Sequence, residues 1–277
     1  MNELLHWWIP RANAAVEVLL VWYFFVLNAG YLILSLLAFR EVHRHLLRSI
    51  YGGYEQLSRS PLTPAMSVIV PAHNEEVGIA LTVNNLLHLD YMRYEVVVVN
   101  DGSRDGTLEE LKKAFHLEPA LVASAGKLKS AEVRQVYRSS RHHNLVVVDK
   151  VNGGKADALN AGLNFASHPY FCSIDADVIL EPDALQRVVQ SIVETDKRVI
   201  AVGGIIRVAN GCRIEKGRVT EVAMSRNPLV IFQIVEYFRA FLCGRTGFSR
   251  FNGLMIISGA FGVFERDLAV DADRTFR

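Results

Sequence analysis

The longest uninterrupted pattern in the chain is apolar. Residues 18–39, from Val18 to Phe39, contain no charged side chain, and only Asn28 and Ser35 are clearly polar. At about 1.5 Å per residue, a helix of this length spans roughly the 30 Å hydrocarbon core of a bilayer. Trp7, Trp8, Trp22 and Tyr23 fall where aromatic side chains gather at a membrane surface. Arg40, Arg44 and Arg48, with His43 and His45, follow the run against a single Glu41, whereas Glu3, Arg11 and Glu17 precede it. This arginine excess predicts a transmembrane helix over 18–39 in a cell (inner) membrane. Residues 1–17 then lie outside, and everything after Phe39 faces the cytoplasm. A cleaved signal peptide fits less well, because no basic segment leads the run and the run is too long. A buried helix of a soluble domain is the other reading.

Past the span the pattern changes twice. Residues 40–64 read as a juxtamembrane helix and a linker, broken at Gly52-Gly53 and again over Ser58 to Pro64. From 65 to 277, short β-branched runs alternate with amphipathic segments. Ser67-Val68-Ile69-Val70 predicts a strand closed by Pro71, and Glu75 to Leu89 a helix through Ile79, Val83, Leu86 and Leu87. Glu95 to Val99, Leu145 to Val148, Tyr170 to Ile174 and Val199 to Gly203 predict further strands. Thr107 to Phe115, Lys155 to Ala166 and Pro182 to Glu194 predict the intervening helices. Apolar runs of this kind are buried on both faces, as in parallel sheets, and the alternation implies an α/β fold with a mostly parallel, doubly wound sheet. Residues 117–143, irregular and carrying Lys127, Lys129, Arg134, Arg138 and Arg141, read as an inserted surface helix or loop.

Composition narrows the classes. The chain has 277 residues and a net charge of +1, too little basic excess for broad binding to nucleic acid. Cys172, Cys212 and Cys243 are odd in number and far apart, so neither a zinc site nor a disulfide framework is indicated.

Two strands end in carboxylates. Val96 to Val99 runs into Asn100-Asp101-Gly102-Ser103, and Ser173-Ile174 runs into Asp175-Ala176-Asp177. Ligands on open α/β sheets bind outside the carboxyl ends of the strands, so Asp101, Asp175 and Asp177 are candidates for one site. Asp101 can accept a hydrogen bond from a base or ribose, or it can cap the helix at Thr107. Asp175 and Asp177, one residue apart, can converge on Mg²⁺ or Mn²⁺ bridging to a diphosphate, or they can form a plain acidic turn. Asn152-Gly153-Gly154-Lys155 is no P-loop, since Asp149 and Ala156 stand where glycine and Ser/Thr are required. No GxGxxG follows the first strand, which argues against a nicotinamide enzyme. What remains is a glycine turn feeding a helix, with Lys155 in reach of a phosphate or simply on the surface.

Taken in order, Pro71-Ala72-His73-Asn74-Glu75-Glu76, Val99-Asn100-Asp101-Gly102-Ser103, Asn152-Gly153-Gly154-Lys155-Ala156-Asp157-Ala158-Leu159-Asn160-Ala161-Gly162, and Asp175-Ala176-Asp177 with Glu181-Pro182-Asp183-Ala184-Leu185 resemble family 2 glycosyltransferases of the GT-A fold. The resemblance, closest to the membrane-anchored polysaccharide-synthase-like branch, covers about Met66 to Phe264. It implies that Pro71, Ala72, Asn74 and Glu75 border the nucleoside, Asp101 contacts the base, Lys155 and Asp175 bind the donor, and Asp175 with Asp177 holds Mg²⁺ or Mn²⁺. The implied donor is a nucleotide-sugar, a UDP-sugar, passed with inversion to a saccharide or lipid-linked acceptor at the membrane. By the same resemblance, the apolar stretch Pro228 to Leu242 lies at the membrane interface, where a core helix is the competing reading. Ser258-Gly259-Ala260 is expected as a close backbone approach near the acceptor, or as part of a packed strand.

The pattern also departs from that family. No Glu-Asp dipeptide and no Gln-x-x-Arg-Trp segment occur, and Asp267, Asp271 and Asp273 are the late aspartates. No catalytic base is assigned. The expectation is a donor-binding half without its acceptor-activating half, as in a fragment of a longer synthase or a degenerate copy, which binds donor but transfers it poorly. The alternatives are a non-processive transferase acting on a lipid carrier and a catalytically silent nucleotide-sugar-binding membrane protein.

Overall fold

A computed structural model describes residues 2–51, 63–193, 195, 198–215, 217–246 and 257–270, with side chains left aside at 2–12, 44–51 and 242–244. The chain divides into two compact units, one of residues 1–51 with 228–256 and the other holding the rest.

In the first unit, a single helix α1 (Asn2–Tyr51) runs through the expected 1–17 and 18–39 segments and into the third as far as Tyr51. Within it, Asn13–His43 is long and apolar enough to cross a membrane, by length and composition alone. Trp22, Phe25 and Leu32 are exposed. Helix α6 (Pro228–Tyr237) continues into a π-helical segment, Phe238–Arg245, which packs against α1. Among the described residues, 228–246 group with α1 and not with the sheet.

The second unit is built on an eight-stranded sheet. In chain order its elements are β1 (Met66–Ala72), α2 (Ile79–Leu86), β2 (Tyr94–Asp101), α3 (Thr107–Phe115), β3 (Leu117–Pro119), β4 (Val133–Ser139), β5 (Leu145–Lys150), α4 (Lys155–Phe165), β6 (Tyr170–Ile174), α5 (Ala184–Val193), β7 (Ala201–Gly203), a small hairpin β8 (Arg213–Glu215) and β9 (Arg218–Glu221), then β10 (Phe261–Glu265) and α7 (Arg266–Ala269). The sheet order is β3-β4-β5-β2-β1-β6-β10-β7. β5, β2, β1 and β6 form a parallel core, and the strands on both flanks are antiparallel. The sheet is thus mixed around the expected parallel centre.

The valine run explains that centre. Val96 and Val98 face a cluster with Ile79 and Leu86 of α2, Leu111 of α3 and Leu185 of α5. Val97 and Val99 face the opposite cluster with Ala158, Leu159 and Leu163 of α4. All four valines are fully buried, which a strand achieves only between two helical layers.

Three expectations need correction. The 117–143 segment contains strands β3 and β4, not a helix or featureless loop. It is an edge, and the exposed Arg134 and Arg138 of β4 blunt that edge with charge, which hides the strand in a hydrophobicity reading. The first strand runs through Pro71 to Ala72, pairing in register with Val99 and Asn100. The helix after it begins only at Ile79, because residues 75–78 form turns that brace the site.

Candidate active site

From β1 the chain steps to β2 and β5 on one side, then returns to β6 on the other. That reversal opens a crevice at the carboxyl ends of β1 and β6. A cavity of about 370 Å³ lies there, within the usual range for small-ligand sites, roughly 300–1,000 Å³. Pro71, Ala72 and Glu75 reach it from β1 and the loop that follows, and Asp101 from the end of β2. Lys155 reaches it from the start of α4, and Asp175 and Asp177 from the turn after β6. Asn74 is not among the lining residues. It adopts a left-handed φ of 58° and ties the loops together, its amide donating to Ser103 Oγ (3.0 Å) and its Oδ1 accepting from the Arg104 amide (2.9 Å).

The loops after β1 and β2 are locked to each other by side-chain oxygens. Thr107 Oγ1 accepts from the Glu75 amide, and Asp105 accepts from the Glu76 and Thr107 amides. Asp105, not Asp101, therefore serves the start of α3. Gly102 has φ +61°, and a Cβ there would lie 2.6 Å from the Asn152 amide nitrogen, so only glycine lets the two loops approach.

Asp101 is almost wholly buried, with a side-chain exposure of 4%. Its Oδ1 accepts from Lys150 Nζ (2.5 Å) and the Gly153 amide (3.0 Å), and its Oδ2 from the Gly154 amide (2.8 Å). A carboxylate offers about four acceptor positions, so Oδ2 retains one for a donor in the cavity. The Asp101 carbonyl accepts from His73 Nδ1 (2.8 Å) and Asn152 Nδ2 (2.9 Å), and both of these side chains line the cavity. Gly154, with φ +88°, turns the chain into α4 and sets Lys155 at the cavity wall.

Lys155 Nζ pairs with Asp175 Oδ1 and also approaches the Gly259 carbonyl at 3.3 Å. The Ala260 carbonyl accepts from the Asp175 amide (3.4 Å), which brings the Ser258–Ala260 turn beside the aspartate pair. The Glu75 carboxyl is held above its ordinary value by burial first, and then by the charges of Asp177, Asp105 and Asp175. Acidic crowding is thus a property of the cavity.

Asp175 and Asp177 suit a hard cation that keeps open positions for diphosphate oxygens and water. Among the described residues no group of three His, Cys, Asp or Glu forms a closed metal cage. His73 and Asn152 line the cavity, and Lys150 pairs with Asp157 behind it, with no signal of that role in the local sequence pattern except, for Lys150, a lysine ending a buried valine strand. Asp267 begins the short α7, while Asp271 and Asp273 lie outside the described residues.

A mixed sheet with a parallel core, helices on both faces and carboxylates at a topological switch point defines an open α/β architecture with its ligand site at the carboxyl ends of the strands. Residues 67–271 match the model of glycosyl transferase family 2, and the chain belongs to that family. Among curated proteins it is similar to the poly-beta-1,6-N-acetyl-D-glucosamine synthase of Staphylococcus aureus, at 27% identity over 74% of this chain and 40% of the relative. The Staphylococcus epidermidis protein of the same name gives the same identity and coverage. The chain therefore spans about two fifths of the length of these relatives. Among solved structures, a mannosyltransferase from Pyrobaculum calidifontis in complex with GDP-Man and Mn²⁺ is 21% identical, covers 84% of this chain and 56% of its own, and has a TM-score of 0.48.

Proposed function

We propose that the chain is a transferase for a nucleotide-activated sugar, with a UDP-sugar as donor and a growing polysaccharide as acceptor, anchored by α1 with the sheet unit on the cytoplasmic side. The observation that carries this reading is the convergence of Lys155, Asp175 and Asp177 on one cavity at the switch point of the sheet. Glu75, Asp175 and Asp177 together oppose the single ammonium of Lys155 at the wall. A diphosphate, itself polyanionic, enters such a cavity only in company with a cation. Mg²⁺ or Mn²⁺ held by Asp175 and Asp177 would supply charge neutralisation of the departing nucleoside diphosphate. Lys155 Nζ donates to a phosphate oxygen once it leaves Asp175, and the start of α4 directs free amides toward the same anion. Asp101 Oδ2 accepts one hydrogen bond from the base, and His73 and Asn152 border it.

The name shared by the curated relatives supports a saccharide acceptor and makes UDP-N-acetylglucosamine the first donor to test. Arg40, Arg44 and Arg48 support the cytoplasmic orientation. Calorimetric titration of UDP into the detergent-purified chain, with and without Mn²⁺, tests the reading. Binding is expected to need Mn²⁺ in the wild type and to lose that dependence in Asp177→Ala. Equal wild-type affinity in both conditions refutes the metal-assisted site, and no binding of UDP refutes the donor.

A further inference from the structure

The ground beneath the glycine turn holds an ion cluster of which the cavity chemistry uses only Asp101. Lys150, the last residue of β5, is fully buried and stands in register with Asp101 of β2. Its ammonium lies 2.5 Å from Asp101 Oδ1 and 2.6 Å from Asp157 Oδ1, and donates to the Val151 carbonyl at 2.7 Å. An ammonium has three donors, and these three oxygens account for them.

One carboxylate grips the glycine turn above and the other the segment that leads into β4. Asp101 accepts from the Gly153 and Gly154 amides. Asp157 accepts from the Ala131 amide through both oxygens, at 3.1 and 2.9 Å. Its Oδ1 sits where a Cβ on Gly153 would come within 2.4 Å. The turn is thus hydrogen-bonded to one and packed against the other of two carboxylates that share one buried cation. Without that cation the two negative charges repel each other directly behind a cavity meant for an anion, and at low dielectric such repulsion is weakly screened.

We propose that Lys150 is a positioning residue for the donor's diphosphate. By holding Asp101 and Asp157 together it fixes the Gly153–Gly154 turn, and with it the direction in which α4 presents Lys155 and its first amides. It also leaves one net negative charge behind the cavity instead of two. The inference rests on the reading of the cavity as a nucleoside-diphosphate site. It assigns Lys150 chiefly to the diphosphate, because the turn it fixes leads to Lys155, while Asp101, which it also holds, faces the base.

The test compares uridine with UDP, each titrated in Mn²⁺ into the detergent-purified full chain. Lys150→Met is expected to weaken UDP binding at least tenfold more than it weakens uridine binding, so that the ratio of the two affinities falls at least tenfold. Neutralising the second carboxylate in that background, as Lys150→Met with Asp157→Asn, restores the net charge and is expected to bring the ratio back within about threefold of wild type. Loss of structure alone would weaken both ligands together and leave their ratio unchanged. If Lys150→Met does not fold, the double variant carries the test, because a buried opposite-charge pair replaced by uncharged groups is often tolerated. A double variant whose ratio stays tenfold down overturns the inference. So does a folded Lys150→Met protein that keeps the wild-type ratio. A wild type that does not bind UDP at all overturns the reading of the cavity, and this inference with it.

Discussion

Replacing Lys155 by glutamine should move two affinities in opposite directions. In the ligand-free chain the ammonium rests on Asp175, with side-chain exposures of 49% and 32%. A pair so open to water is worth only about 0.2–1 kcal/mol, so Lys155→Gln should leave the melting temperature almost where it was. Once the pair is gone, Asp175 no longer has a tethered cation to displace, and Mn²⁺ in the absence of nucleotide should bind about 1.4- to 5-fold more tightly, which is the same energy read as an equilibrium. Toward UDP the sign reverses. A hydrogen bond from a charged donor to a phosphate contributes about 1.5–3 kcal/mol, so UDP in saturating Mn²⁺ should bind roughly 10- to 100-fold more weakly. Calorimetry for UDP and the electron paramagnetic resonance of free Mn²⁺ measure the two constants on the same preparation. A variant in which both affinities fall, or in which UDP binding is unchanged, refutes the assignment of Lys155 as a phosphate ligand parked on Asp175.

Gly162, inside α4, faces the sheet so closely that a Cβ would stand 2.4 Å from Ile69 Cγ2 and 3.2 Å from Val99 Cγ2. Gly162→Ala gains helix propensity of about 1 kcal/mol but overpacks a rigid core at about 1–3 kcal/mol. A net loss of up to about 2 kcal/mol is expected, read as a melting temperature no higher than wild type by scanning fluorimetry; a raised value would show that the sheet yields there. Glu75 gives a pH test. Its carboxyl binds a proton more tightly folded than unfolded, so its contribution to stability declines as pH rises from the ordinary value of 4.5 through the raised one. Glu75→Gln should therefore raise the melting temperature at pH 7 in chelator and lose that advantage at pH 4. Equal melting curves for the two proteins at pH 7 would count against acidic crowding in the cavity.

The parts of this molecule legible in the sequence are those whose cause is local. β1, β2, β5 and β6 announce themselves because a strand covered on both faces needs apolar residues at every position, as in Val96 to Val99. Asp101, Asp175 and Asp177 announce themselves because a carboxylate ending such a strand has no place in the core. The structure brings all three to one cavity with Lys155. Strand β4 was not legible for the opposite reason. Val136 turns inward, but Arg134 and Arg138 are exposed along an edge partnered only by the three-residue β3, so the alternation carries little apolar weight.

Lys150 shows a different limit. Its partner Asp101 lies 49 residues away and meets it only through the pairing of β2 with β5. Both strands are valine runs, and sliding one past the other by two residues would bury the same apolar surface on the same faces. Hydrophobic patterning thus fixes which strands lie in the centre but leaves their register degenerate. The polar ends can break that degeneracy. In the observed register Asn100 Nδ2 donates to Asp149 Oδ1 at 2.7 Å while Asp101 meets Lys150 on the other face, and a two-residue slip would set Asp101 against Val148 in one direction or Asp149 against Val98 in the other. On this argument the ion cluster beneath the glycine turn has a second consequence. The Lys150–Asp101 contact that aligns the diphosphate site also selects the strand register on which that site depends, so a charge change at Lys150 acts on the site and on the alignment of the sheet below it through Asp101.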